Sequence, residues 1–155
     1  GDGYFEPNRP IKREEFVKIL VGAFGIKDES AEISFEDVGK DAWYYSYIAP
    51  AYAKGIILGN ADGNFGTGEN ITRQDMAVII TRTLDALGYN LQQELEEKHF
   101  PDEANISQYA KDSITMLFRG GIIDGDENNL VRPLDTASRA EVSKVIYIVM
   151  QKLGM

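Results

Sequence analysis

Three arginines, Arg13, Arg73 and Arg139, mark the second half of a unit that recurs along this chain of 155 residues. A loop rich in glycine, aspartate and asparagine precedes the arginines, and apolar residues follow each of them at the spacing of one helix face. In the second copy this stripe consists of Met76, Ile79, Ile80, Thr83 and Leu84. A unit that recurs along a chain in this way predicts similar supersecondary elements that share one core. We therefore expect three amphipathic helices, each beginning at its arginine.

The first half of the unit occurs twice, and each occurrence begins with a Phe-x-Asp triplet, at 35–37 and 100–102. An aromatic residue follows, Trp43 or Tyr109, and a Gly-Ile pair stands twelve residues further on. This spacing predicts helices over about 42–54 and 108–119. Gly55 and Gly121 then suit the left-handed conformation that ends many helices.

These patterns divide the chain into three copies. Residues 1–28 form the second half of repeat 1, residues 33–90 form repeat 2, and residues 98–155 form repeat 3, all within one compact domain. The first half of repeat 1 is missing, so we interpret the chain as a fragment of a longer protein. The missing helix should expose apolar surface and promote self-association of the fragment, for example as a dimer.

Composition excludes several functions. The chain has no cysteine and one histidine, which leaves no thiolate zinc site, cysteine nucleophile or multi-histidine metal site. The net charge of −9 is opposite to that of a nucleic-acid binder. No apolar run is long enough to cross a membrane. His99 is interpreted as a surface histidine, and no acidic pair stands out as catalytic. Asn60, Asp62, Gly63 and Glu69 partly match a calcium loop, but Leu58 occupies its first ligand position.

The arginines stand where a cation is unfavourable, because a helix N-terminus already carries partial positive charge. Thr72 and Ser138 are good N-caps, with Asp75 and Glu141 three residues on, whereas Lys12 replaces the hydroxyl in the first copy. Two interpretations remain open. Unpaired helix N–H groups and the guanidinium together form an anion site, or each arginine pairs with a carboxylate of the neighbouring repeat.

Other residues of the unit also have two interpretations. Asp37 and Asp102 either cap the following helices or contact a ligand. Trp43 and Tyr109 either stack on a sugar ring or are the first core residues of their helices. The loop glycines allow a close approach of the backbone to a ligand. Phe5 and Phe65 are expected to anchor their loops in the core.

The chain resembles the S-layer homology family. The resemblance rests on Phe35-x-Asp37, Trp43, Gly55-Ile56, the loop 59–65 and Ile71-Thr72-Arg73-Gln74-Asp75, with looser copies around Arg13 and Arg139. It implies an all-α, pseudo-threefold bundle of tandem helix–loop–helix repeats joined by Gly/Asp-rich loops. It also implies an extracellular, non-catalytic anchor without a cofactor or metal. Grooves between repeats would bind an anionic secondary cell-wall polysaccharide, which in many members ends in pyruvylated N-acetylmannosamine. The candidate ligand residues are Arg13, Arg73, Arg139, Asp37, Asp102, Trp43, Tyr109, Gly59, Asp62 and Gly63.

An alternative is a structural module of an S-layer whose repeats contact other protein subunits without any carbohydrate. Exposed arginines that line a groove favour the anchor. Arginines buried against carboxylates favour the structural module.

Overall fold

The computed structural model describes residues 6–155. Within them lie two short 3₁₀ turns, Glu103–Asn105 and Gln108–Ala110, and five helices: α1 (Arg13–Ala23), α2 (Tyr45–Ala53), α3 (Arg73–Ala86), α4 (Lys111–Arg119) and α5 (Arg139–Leu153). Extended pairing in this part of the chain is limited to three isolated bridges between repeats. The prediction of an all-α fold is confirmed.

The three arginine-led helices begin at the residues that the sequence predicts. The Thr72 hydroxyl accepts a hydrogen bond from the Asp75 N–H at 3.2 Å. Ser138 and Glu141 form the predicted reciprocal capping box, since each side chain accepts from the other's backbone N–H. In α1 only half of this arrangement exists, because the Lys12 side chain has no acceptor. The half that exists is the hydrogen bond from the Lys12 backbone N–H to Glu15 Oε2 at 3.0 Å.

The other two helices begin three residues later than predicted. The residues before each helix instead form tight turns closed by backbone hydrogen bonds between residues three apart. The Tyr45 N–H donates to the Ala42 carbonyl, and the Ala110 N–H donates to the Ser107 carbonyl. Trp43 and Tyr109 therefore lie in turns ahead of their helices. The predicted ends are confirmed, because Gly55 and Gly121 have φ angles of +71° and +69°.

A closed triangle of backbone hydrogen bonds lies where the three repeats meet. The Ile11 N–H donates to the Ala137 carbonyl at 3.0 Å, Ala137 to Ile71 at 2.9 Å, and Ile71 back to Ile11 at 3.0 Å. Each residue stands two positions before a helix-leading arginine, and each is at most 1% exposed. This equivalence gives the bundle its approximate threefold symmetry.

Equivalent faces of the arginine-led helices are covered unequally. Helix α2 packs on α1 and α4 packs on α3, so Val21 and Thr81 are only 3% and 5% exposed. Tyr147 occupies the same position in α5 and is 63% exposed. Among the described residues, no helix covers this face of α5 as α2 and α4 cover the other two.

Candidate functional site

One cleft brings all three repeats together, and we call it the repeat 2 cleft. It has a volume of about 430 Å³. Repeat 1 contributes Arg13, the loop of repeat 2 contributes Gly59 and Phe65 among others, and repeat 3 contributes Tyr109. One wall is the face of α3 that carries Asp75, Val78, Ile79 and Arg82. Of the ten sequence-predicted ligand residues, this cleft collects Arg13, Gly59 and Tyr109.

Arg13 is held in place by repeat 2. Its Nη1 atom lies 3.1 Å from Asp75 Oδ2, and its Nε donates to the Phe65 carbonyl at 3.1 Å. The guanidinium carbon also lies 5.3 Å from the centre of the Phe65 ring. Only 16% of the Arg13 side chain is exposed. The ion pair that the structural interpretation predicts is therefore present, at the edge of the cleft that the ligand interpretation requires.

Arg73 and Arg139 occupy the equivalent first positions of α3 and α5. Arg73 donates from Nε to the Val131 carbonyl at 2.9 Å and forms an ion pair with Glu141. Burial alone would raise the pKa of Glu15, but hydrogen bonds from the Lys12 backbone and from Arg9, then the charge of Arg9 and last that of Arg139, hold it below its ordinary value. Each arginine thus acts on the third residue of the next arginine-led helix.

The N–H groups at the starts of α3 and α5 are already paired. The Arg73 and Gln74 N–H groups donate to the Asp135 and Pro133 carbonyls at 2.9 Å, and the Asp75 N–H donates to Thr72. Helix α5 repeats this pattern with the carbonyls of residues 9 and 7. The expectation that unpaired helix N–H groups form part of an anion site is therefore wrong for these two helices. Any anion contact there depends on side chains.

Asp37 and Asp102 shape loops and do not cap helices. Asp37 accepts hydrogen bonds from the N–H groups of Phe65, Gly66 and Thr67 at 2.7, 2.8 and 2.7 Å. Partial burial alone would raise the pKa of Asp37, but these three donors hold it below its ordinary value. Asp102 accepts in the same way from the Val131 and Arg132 N–H groups at 3.0 and 2.7 Å. The helix-capping interpretation is wrong, because each carboxylate binds the loop that follows its helix and not the start of the helix.

The loop of repeat 2 has a rigid base and an exposed tip. Phe65 is 1% exposed, which confirms its predicted anchoring role; the matching expectation for Phe5 lies outside the described residues. Gly59 is required by close packing, since a Cβ there would lie 2.6 Å from the Phe35 ring. Asp62 and Gly63 lie at the exposed tip and do not line the cleft.

Tyr109 joins repeat 3 to α3. Its hydroxyl donates to Asp75 Oδ1 at 2.7 Å and accepts from Gln74 Nε2 at 3.0 Å. Burial, and then the hydrogen bond and charge of Asp75, raise the pKa of Tyr109. The residue is nevertheless 58% exposed. Its phenol tip is therefore fixed while much of its surface stays accessible, and the core interpretation is wrong.

Trp43 is also a surface residue, with 54% of its area exposed. It lies away from the repeat 2 cleft, beside α1. The Lys18 ammonium stands 5.2 Å from its ring centre and 5.6 Å from that of Tyr47. The core interpretation is wrong here too, and the exposed ring belongs to the part of repeat 2 that faces repeat 1.

The sequence analysis does not predict three charged residues of the cleft: Glu69, Asp75 and Arg82. It treats Glu69 only as a possible calcium-loop ligand and Asp75 only as a helix-capping residue. Arg82 follows Asp75 by seven positions, with Val78 and Ile79 between them. This i, i+3, i+4, i+7 spacing places all four on one face of α3 and was the available signal.

The single histidine is a surface residue, as predicted: 85% of its side chain is exposed, beside Glu103 at 3.1 Å. In residues 6–155, no three His, Asp or Glu side chains are placed to hold a metal ion together. In the same residues, no helix has the length and apolar character needed to cross a membrane.

Comparison with known protein families identifies the repeats. The family model described as the S-layer homology domain matches residues 1–17, 34–77 and 99–143, which together make up more than half of the chain. The chain belongs to the S-layer homology domain family. The matched segments contain both Phe-x-Asp triplets, Trp43, Tyr109 and the three helix-leading arginines.

Three curated relatives show where similar sequences occur. An amylopullulanase of Thermoanaerobacterium thermosulfurigenes is 33% identical over 99% of this chain and 8% of its own length. A surface-layer 125 kDa protein of Lysinibacillus sphaericus is 31% identical over 83% of this chain and 10% of its own length. A cellulosome-anchoring protein of Acetivibrio thermocellus is 27% identical over 90% of this chain and 32% of its own length. The chain thus spans a minor part of each relative.

Proposed function

We propose that this chain is a non-catalytic anchoring module that holds a larger protein at the bacterial cell surface by binding a secondary cell-wall polysaccharide. The observation that carries the proposal is the repeat 2 cleft, where Arg13, Gly59 and Tyr109 come together from three repeats of this S-layer homology chain. The relatives named as a surface-layer protein and a cellulosome-anchoring protein support the surface location. The relatives named as enzymes match this chain over a small share of their length, which supports a role separate from catalysis.

The ligand that we propose is an anionic glycan of the pyruvylated N-acetylmannosamine type. Tyr109 offers an accessible ring whose tip is fixed by two hydrogen bonds, and fixed aromatic rings pay little conformational entropy on binding. Val78 and Ile79 provide an apolar wall, while arginine side chains provide the positive charge. Asp37 holds the loop that forms the opposite wall. Arg73, Arg139, Asp102 and Trp43 remain proposed contacts of the other repeats, and Asp62 and Gly63 lie at the exposed loop tip.

Calorimetric titration with a pyruvylated N-acetylmannosamine glycoside, beside the same sugar without pyruvate, tests this proposal. We expect binding of the pyruvylated form only. Tyr109→Ala should weaken it at least tenfold, whereas Tyr147→Ala, at an equally exposed tyrosine on α5, should leave it unchanged. Retained folding of both variants is checked by circular dichroism. Equal effects of the two substitutions, or no binding by the unaltered protein, would contradict the proposal.

A structural module of a surface layer is the second candidate, and one observation favours it. Arg13 and Arg73 pair with carboxylates of the next repeat, so ion pairs between repeats already give these arginines a role without any ligand. In that case isolated cell walls should fail to retain the protein, although the protein is folded. Retention by walls that is lost after chemical removal of the polysaccharide would favour the anchor instead.

A further inference from the structure

Arg82 has the properties expected of an anion-binding arginine, the role that the sequence analysis considers for Arg13. It lines the repeat 2 cleft from α3, and no described residue forms a hydrogen bond or ion pair with its side chain. Arg13, in contrast, is engaged by Asp75 and by the Phe65 carbonyl. A guanidinium whose charge is already balanced gains less from a new anion than one that is not.

The carboxylates of the cleft gather at the end that holds Arg13. Asp75 is in direct contact with it. Glu69 and Arg13 both border the position of Gly66, where an added Cβ would lie 2.8 Å from Glu69 Oε2 and 3.2 Å from Arg13 Nε. An incoming anion would meet two negative charges beside Arg13. The Arg82 end carries a cation without a paired carboxylate in the described residues.

The wall between the two ends is of suitable length and character for a sugar. Asp75 and Arg82 are seven residues apart on α3, which corresponds to about 10 Å along the helix axis. The side chains between them, Val78 and Ile79, are apolar and at most 5% exposed. Together with the exposed Leu58 of the same cleft, they give the C–H face of a sugar ring apolar side chains to contact, while its acidic substituent reaches the free cation.

We propose that Arg82, and not Arg13, forms the ion pair with the acidic substituent of the glycan, and that Arg13 positions the loop. This inference rests on the proposed function of the cleft. At the position equivalent to Arg82, repeat 1 has Gly22 and repeat 3 has Ile148. Neither of the other repeats therefore places a guanidinium at this point, and the repeat 2 cleft is the one equipped in this way for an anion.

Calorimetry with the pyruvylated glycoside tests the ion pair. We expect Arg82→Gln to bind it about tenfold to a hundredfold more weakly, as for loss of one hydrogen bond to a charged group. Arg82→Lys should recover part of the loss because it restores the charge. Lys54→Gln removes the same charge from an exposed position outside the cleft and is the control. Unchanged affinity in Arg82→Gln would overturn the inference while leaving the proposed function intact.

A second measurement keeps the inference separate from the choice of sugar. Free pyruvate is titrated into the protein, and the side-chain Nε–H signals of Arg13 and Arg82 are followed by nuclear magnetic resonance. We expect the Arg82 signal to move, to do so less at high salt, and to move more than that of Arg13. A shift confined to Arg13, or no shift of Arg82, would refute the assignment even if the glycoside proves to be the wrong ligand.

Discussion

The carboxylate of Asp37 should contribute strongly to stability, because it holds the repeat 2 loop from outside the loop. It accepts three backbone hydrogen bonds, from Phe65, Gly66 and Thr67. Hydrogen bonds to charged groups contribute about 1.5–3 kcal/mol each, and partial exposure favours the lower end. Three such bonds predict that Asp37→Ala lowers the free energy of unfolding by about 4.5 kcal/mol.

Asp102 provides a matched comparison within the same protein. It makes the equivalent contact with two N–H groups, so Asp102→Ala should cost about 3 kcal/mol. Urea unfolding at pH 7, followed by circular dichroism, measures both losses. Amide exchange at residues 65–67 should accelerate in Asp37→Ala. A loss below about 2 kcal/mol for Asp37→Ala, or a larger loss for Asp102→Ala, would refute the reasoning from the number of bonds.

The same contact has a defined pH dependence. Because the pKa of Asp37 is lowered in the folded state, its contribution is complete above the ordinary pKa of about 3.9. It is lost as the pH falls through the lower folded value. The stability difference between the unaltered protein and Asp37→Ala should therefore narrow below about pH 4. A difference that stays constant down to pH 2 would contradict the charged state of the carboxylate.

Four further changes are predicted. Arg13→Gln should cost about 2–3 kcal/mol in urea unfolding, because it leaves the Asp75 carboxylate without its cation; a neutral result would remove the inter-repeat role. Thr72→Ala should cost about 1 kcal/mol by loss of the N-cap, whereas Thr72→Ser should cost little. Ile71→Ala should cost about 3 kcal/mol, since the side chain is fully buried beside the hydrogen-bond triangle; a loss under about 1 kcal/mol would show that the bundle collapses around the cavity. In sedimentation at high concentration, the unaltered protein should self-associate through the uncovered face of α5, and Tyr147→Asp should reduce this without lowering stability; a strictly monomeric profile of the unaltered protein would contradict the association.

Much of the fold follows from local patterns. Helix starts at Arg73 and Arg139 are marked by hydroxyl caps, and helix ends at Gly55 and Gly121 by a backbone conformation that glycine favours. These signals lie within a few residues of the feature that they predict. The all-α repeat architecture could therefore be predicted from the sequence alone.

The roles of the charged residues could not be predicted in the same way. Asp37 binds a backbone segment about thirty positions away, and Arg13 pairs with a carboxylate 62 positions away. Spacing identified these residues as unusual but did not identify their partners, which depend on how the repeats close around the axis. Comparison of the copies did not point to Arg82, because the residues at the equivalent positions of the other repeats are not cations.

The hydrogen-bond triangle also determines how this protein can be divided. In an open array of repeats each unit contacts only its neighbours, so such an array tolerates the loss of a terminal unit. Here the backbone N–H of residue 11 donates to the carbonyl of residue 137, so the first and last copies are in direct contact. A chain that emerges gradually during synthesis or export cannot form this contact until its third copy is available. The triplet, and not the single repeat, is accordingly the smallest unit that can be transplanted to another protein with its axis intact.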